Sequence, residues 1–389
     1  MQLLDGCSFR GLAGAPNSKP LPWNAPGAVG IGHGGRLVSH FNRVSIGVDV
    51  PRCQTRSSCR ESSPSVESAM RRCRSGVPAF EKGQPTVAIL LGTYNGQSYL
   101  WEQLESIACQ THSNWVVQAS DDGSDDDTPS ILRACRDAWG ADRLSILVGP
   151  KKGFSANFLS LVCAEGIEAD YFAFADQDDI WRADKLERAL EWLRSVPGNI
   201  PALYCSRTLL VDSNNNECGL SSLPSRSPDF RNALVQNIVG GNTAVFNSAA
   251  RQLMVEAGAD VSVAAHDWWA YMLVTGCGGR VLYDAQPSLR YRQHAGNLVG
   301  VRGGWLQAFL RLRKCMGGRF RAWNDVNMES LALLRDKLTD ENRAVFDRFS
   351  QARKKWLLPR VVGVMGAGVV RQRAIGSLGI LFASIFGRI

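Results

Sequence analysis

From residue 85 onward, short apolar runs alternate with stretches in which apolar side chains return every three or four positions. The runs at 86–91, 115–119, 144–148 and 171–175 have strand length and almost no polar interruption, which predicts buried strands. Between and after them, four sets of residues mark helical faces: Leu100, Leu104, Ile107 and Ala108; Ile131, Leu132, Cys135 and Trp139; Phe154, Phe158, Leu161 and Val162; and Leu186, Ala189, Leu190 and Leu193. This alternation predicts an α/β fold with a mixed, mostly parallel sheet flanked by helices. Residues 1–84 are rich in Gly, Pro, Ser and Arg and carry neither period. They read as a disordered extension, or as an upstream stretch foreign to the native protein. Residues 85–301 would then be the ordered domain and 302–389 a basic, helical C-terminal region.

The polar clusters fall where the strands should end, which in such sheets is where ligands sit. The first strand runs into Thr93-Tyr94-Asn95-Gly96, the second into Asp121-Asp122-Gly123-Ser124 and the fourth into Asp176-Gln177-Asp178-Asp179. Three carboxylates at one strand lip repel one another. A divalent cation relieves that repulsion and leaves positions open for phosphate oxygens. The competing structural reading makes Asp179 or Asp184 the cap of a helix starting near Arg182. Gly123, with Thr128 and Pro129, reads as a turn and helix start, leaving Asp121 and Asp122 free to accept hydrogen bonds from a base or ribose. Tyr94 is placed to stack beside a base.

Downstream, His266-Asp267-Trp268-Trp269 opens an apolar helix. Either Asp267 is a cap and the tryptophans are core, or Asp267 is a general base with an indole such as Trp268 as a sugar platform. Tyr291-Arg292-Gln293-His294 reads as the end of a last strand, with Arg292 facing phosphate charge and His294 either completing a metal shell or serving structurally. Asp212-Ser213-Asn214-Asn215-Asn216 has Glu217 where a calcium loop needs glycine, so a hairpin turn is expected.

Charge sharpens this picture. The net +8 is uneven: residues 1–84 hold 11 basic and 5 acidic side chains, 85–301 hold 16 and 25, and 302–389 hold 17 and 6. An acidic centre excludes a nucleic-acid groove and suits a cation site. Eleven cysteines without a Cys-x-x-Cys pair predict reduced, mostly buried thiols. The sequence lacks both a transmembrane-length apolar run and an N-terminal signal-type apolar stretch. In the tail, Lys354-Lys355-Trp356-Leu357-Leu358, Arg371-Gln372-Arg373 and the apolar stretch at 380–386 fit either a helix lying on an anionic membrane face or a helical subdomain packed on the core.

Taken in order, Thr-Tyr-Asn-Gly, Asp-Asp-Gly-Ser, Gly-Phe-x-x-Asn-Phe, Asp-Gln-Asp-Asp-x-Trp, His-Asp-Trp-Trp and Tyr-Arg-Gln-His resemble family 2 glycosyltransferases of the Rossmann-like GT-A fold, with bacterial rhamnosyltransferases the nearest branch. The resemblance covers roughly residues 85–300. It implies inverting transfer from a nucleoside-diphosphate sugar, with Mg²⁺ or Mn²⁺ as cofactor. Thr93, Tyr94, Asn95 and Asp122 would hold the nucleoside, and Asp176 and Asp178 the ribose and metal. Asp267 would be the base, Asp179 and Trp181 would shape the sugar pocket, and Gly153 with Asn157 the loop beside it. The family branch further implies a deoxythymidine-diphosphate rhamnose donor, a cell-surface or O-antigen glycan acceptor on a lipid carrier, and a place at the cytoplasmic face of the inner membrane. Two rivals remain. A sugar-nucleotide pyrophosphorylase needs a Gly-rich, basic loop that 92–96 lacks, and a non-catalytic carbohydrate- or metal-binding module would not release nucleotide. Asp178→Ala is expected to abolish transfer while leaving the circular dichroism spectrum unchanged; full activity of that variant in chelator would remove the metal role.

Overall fold

A computed structural model describes residues 77, 79–81, 83–293 and 319–389. The first strand, β1 (Val87–Thr93), is buried along its whole length. It pairs in parallel with β2 (Trp115–Asp121) on one side and β4 (Tyr171–Asp176) on the other, and β3 (Leu144–Val148) adds in parallel to β2. The connections are α1 (Leu100–Ala108), α2 (Thr128–Trp139) and α3 (Phe154–Cys163). Beyond β4 come β5 (Ile180–Trp181), α4 (Lys185–Leu193), β6 (Ala202–Ser206), the hairpin β7 (Leu209–Val211) and β8 (Glu217–Leu220), and the short α5 (Phe230–Ala233). Then follow β9 (Val245–Asn247), α6 (Ser248–Ala257), α7 (His266–Gly276), β10 (Arg280–Asp284) and β11 (Leu289–Arg292).

The main sheet has the order β10-β6-β9-β4-β1-β2-β3. Only β9 runs antiparallel, between β4 and β6. A second sheet, β5-β11-β7-β8, joins the expected last strand and the expected hairpin at Asp212 to β5; strands of two to four residues are too short for their pattern to show that they pair with one another.

The period-two geometry of β1 divides the interior. Ala88 and Leu90 pack with Phe158, Leu161 and the α7 residues Trp269 and Leu273, whereas Val87, Ile89 and Leu91 pack with Leu104, Leu132 and Leu190. A strand buried on both faces must be apolar at every position, hence the uninterrupted run. The α7-side core extends into the C-terminal helices α8 (Arg319–Leu333), α9 (Asp340–Arg353), α10 (Leu357–Gly366) and α11 (Ala374–Ile385), through Leu331, Phe349, Val364 and Ile380. The tail is therefore packed on the core. Of the described cysteines none forms a disulfide; Cys109 and Cys218 are exposed, which corrects the expectation of mostly buried thiols only in part, since Cys135 and Cys205 are buried.

Asn247 pins the sheet centre. Its side-chain carbonyl accepts from Ala202 N and from Ala250 N, both at 3.0 Å, capping α6, and its amide donates to Ile200 O at 2.8 Å. Asn247→Ala orphans buried backbone groups and is expected to cost about 2–3 kcal/mol. Urea denaturation reads that loss; an unchanged midpoint would contradict it.

Candidate active site

The ends of β1, β2 and β4 are laced together by side chains that stand in for missing strand hydrogen bonds. Gln177 accepts from Tyr94 N at 2.8 Å and donates to Tyr94 O at 2.9 Å, tying the first loop to the acidic one. A Cβ at Gly96 would collide with the Gln177 carboxamide and displace it from its paired hydrogen bonds with Tyr94. Asn95 adopts φ 49° and exchanges hydrogen bonds with Ser124 and Asp125 of the second loop.

The Asp121 carboxylate accepts from Thr93 Oγ1 and from Ser124, while Asp122, 3% exposed, accepts from Lys151 N at 2.6 Å and Gly153 N at 2.9 Å. Neither is free in the sense expected; both already organise loops. Asn157 is fully buried and closes on Ser120 through two hydrogen bonds. Thr93, Asp122, Gly153 and Asn157 thus form the frame beneath the site, with Tyr94 and Asn95 nearer its surface.

Asp179 is not a helix cap. It is fully buried, and α4 begins only at Lys185. Its Oδ2 accepts from Asn242 Nδ2 at 2.6 Å, and its Oδ1 is buried with no protein donor. Lys185, also fully buried, donates to Asn242 O at 2.5 Å and lies 3.4 Å from the centroid of the Trp181 ring. Trp181 is 4% exposed and forms the floor under this pair. Burial pushes the Lys185 ammonium well below its ordinary range and the Asp179 carboxyl well above, with Asp178 and Asp176 adding to the latter. Burial, then Asp178 and Asp267, raise Asp176 to about 7.

Asp267 enters from the other side of the sheet, in the first turn of α7. Its Oδ2 accepts from Gly241 N at 3.0 Å and its Oδ1 from Trp268 N at 2.7 Å. Burial pushes it up to about 6, opposed by these donors and by the Asn237 side chain. The adjacent His266 stacks on Phe158 at 4.0 Å, neither ring nitrogen has a partner, and burial lowers it to about 3, so it is a neutral packing residue. Gly241 and Asn242 are consecutive, so one short turn touches Asp267, Asp179 and Lys185 at once.

Two expectations change. Trp268 is 6% exposed and its indole N–H donates to Ala233 O at 2.7 Å; it is core and offers no ring face to a sugar. Arg292, 2% exposed, donates to Glu102 at 2.6 Å, Asp178 O at 3.2 Å and Ser213 O at 3.2 Å, and its guanidinium lies 4.4 Å from the Tyr99 ring. It positions the backbone of the acidic loop. His294 lies outside the described residues. The sequence points to no role for Lys185, Asn242 or Gly241, and it shows Gln177 only as a member of the acidic motif. Lys185 alone left a signal, since it shares the stripe of buried Ala189 and Leu193 on α4.

Among the described residues no group of three or more His, Cys, Asp or Glu side chains converges on one point. Mg²⁺ or Mn²⁺ would thus be held by one or two carboxylates, with diphosphate oxygens and water completing the shell. Asp176, whose charged form is disfavoured by burial and by the neighbouring Asp178, fits that role together with Asp178.

The model for Glycosyl transferase family 2 matches residues 88–255. The chain carries a family 2 glycosyltransferase domain. Curated relatives include dTDP-rhamnosyl transferase RfbG of Shigella flexneri, 28% identical over 57% of this chain and 78% of the relative. Another is the UDP-Glc:alpha-D-GlcNAc-diphosphoundecaprenol beta-1,3-glucosyltransferase WfgD of Escherichia coli, 28% identical over 36% of this chain; the chain spans 52% of that relative's length. Among solved structures, S. aureus TarS 1-349 in complex with UDP-GlcNAc aligns with a TM-score of 0.43 at 15% identity, over 77% of this chain and 81% of that one. The enzyme is a glycosyltransferase, and the matched family segment ends before Asp267.

Because Asp176 titrates near 7 rather than 3.8, the folded chain holds this proton more tightly than the unfolded chain. The associated stability is present at low pH and lost as pH rises through about 7. In chelator, Asp176→Asn should therefore raise the thermal midpoint by at least about 3 °C near pH 8, and the gain should shrink toward pH 5. An equal gain at both values would contradict the assignment.

Proposed function

We propose that this glycosyltransferase moves a sugar, with inversion, from a nucleoside-diphosphate donor to a hydroxyl of a cell-envelope glycan intermediate carried on a lipid. The names of RfbG and WfgD support rhamnose from a deoxythymidine-diphosphate donor and a diphospholipid-linked acceptor, respectively. Residues 85–301 would be the catalytic unit and 302–389 its helical companion.

The observation that carries this reading is the Gly241-Asn242 turn, which joins the base candidate Asp267 to the acidic loop. Bound Mg²⁺ or Mn²⁺ would supply charge neutralisation for the departing diphosphate. Asp176 and Asp178 would hold it, while Lys185 limits the charge around Asp179 and keeps that carboxylate in place. Thr93, Tyr94, Asn95 and Asp122 would form the nucleoside edge. The two backbone donors on Asp267 fix its orientation, and burial brings its pKa close to working pH, which suits a base. In the transfer step the acceptor O–H gives its proton to an Asp267 oxygen, the acceptor oxygen bonds the anomeric carbon, and the anomeric C–O bond breaks with its electron pair leaving on the diphosphate.

Asp267→Asn should keep donor affinity within about twofold and lower kcat by at least about 100-fold. In the parent enzyme kcat/KM should fall as pH drops through about 6, where Asp267 becomes protonated. Calorimetric donor binding and initial rates separate these effects; undiminished turnover of the variant removes Asp267 as the base.

A further inference from the structure

The two last helices face the wrong way for a protein in water alone. Their inner side is fixed to the catalytic domain at Gln372, between them. Gln372 N donates to Gln236 at 2.8 Å, its side chain accepts from Arg226 N at 2.8 Å, and Asn232 Nδ2 donates to Val370 O at 2.9 Å. Val364, Ala367, Val369 and Ile380 are buried in the α7-side core. The guanidinium of Arg360 ties the pair together by donating to Ser384 O at 2.6 Å and Ile385 O at 3.2 Å.

With the inner side so anchored, the outer side should be polar. Instead, α10 presents Leu358, Val362 and Met365 at i, i+4 and i+7, exposed by 61%, 72% and 48%. On α11, Ile375, Leu378 and Phe382 follow at i, i+3 and i+7, exposed by 78%, 54% and 56%, and Trp356 and Phe386 stand out at the ends. No acidic residue follows Asp347, whereas Lys354, Lys355, Arg373 and Arg388 are exposed around these stripes.

We propose that this outer face of α10 and α11 docks onto an anionic lipid bilayer, with the apolar stripes in the acyl boundary and the basic residues at phosphate headgroups. Size and charge choose this occupant. Helices of 10 and 12 residues are about 15 and 18 Å long, about half a hydrocarbon core, and no described helix is long and apolar enough to cross a membrane. They lie in the interface instead. A second copy meeting this face through a two-fold axis would set basic residues against basic residues, whereas anionic headgroups reverse that sign. The anchor also touches catalysis: Gln236, held by Gln372, immediately precedes Asn237, whose side chain hydrogen-bonds Asp267.

Flotation of the full chain with vesicles tests this. Recovery with phosphatidylcholine containing roughly 30% phosphatidylglycerol should exceed that with phosphatidylcholine alone by about tenfold or more. The pairs Ile375→Glu/Phe382→Glu and Lys354→Glu/Lys355→Glu should each reduce it by about tenfold. All substituted side chains are exposed, so the thermal midpoint and nucleoside-diphosphate binding should stay unchanged. The proposal is overturned if the parent chain stays in the aqueous layer with anionic vesicles or if both variants float as the parent does. It also fails if the lipid-free parent is a dimer that Ile375→Glu/Phe382→Glu makes monomeric, which assigns the face to a second copy.

Discussion

Everything at the site depends on how carboxylates are kept in a place where water cannot solvate them fully. Asp179 is wholly enclosed, Asp176 and Asp178 adjoin it, and among the described residues the buried cation acting on both Asp176 and Asp179 is Lys185. A buried charge without a partner is far costlier than a paired one. The Asn242 side chain and carbonyl bridge Asp179 to Lys185, and the carboxylate charge they leave uncompensated is what a divalent ion can neutralise. In the proposed function, the arrangement would trade metal-free stability for affinity toward a cation carrying a diphosphate.

The fold delivers these groups because strand ends converge. Parallel β1, β2 and β4 bring three loops to one edge, and antiparallel β9 brings the Gly241–Thr243 turn next to β4 from the opposite chain direction. The reversal matters: it lets the turn before β9 meet both the acidic loop and the start of α7. Arg292, from the second sheet, fixes the Asp178 backbone, with Glu102 balancing its charge.

Much of this was legible in the chain. The strand at 144–148 is found at Leu144–Val148, and the first, second and fourth strands run one or two residues further, into their polar motifs, because the ladder continues until the loops turn away. The hairpin at Asp212 is present, with Asn214 and Asn216 N–H groups on its carboxylate. What could not be read are contacts between distant segments. Asn242 lies 63 positions from Asp179 and 57 from Lys185, in a stretch with no periodic signal of its own. Asp179 looked like a cap because its sequence neighbourhood allows one; only tertiary burial removes that option. The tryptophan pair at 268–269 was ambiguous for the same reason, and the core claimed both rings.

The central claim is that the acidic loop binds a diphosphate through a divalent cation and does so poorly without one. Calorimetric titration of the full chain with nucleoside diphosphate, in Mn²⁺ and in chelator, measures this directly. The account predicts binding at least about tenfold tighter with Mn²⁺. Equal affinity in the two buffers would contradict it.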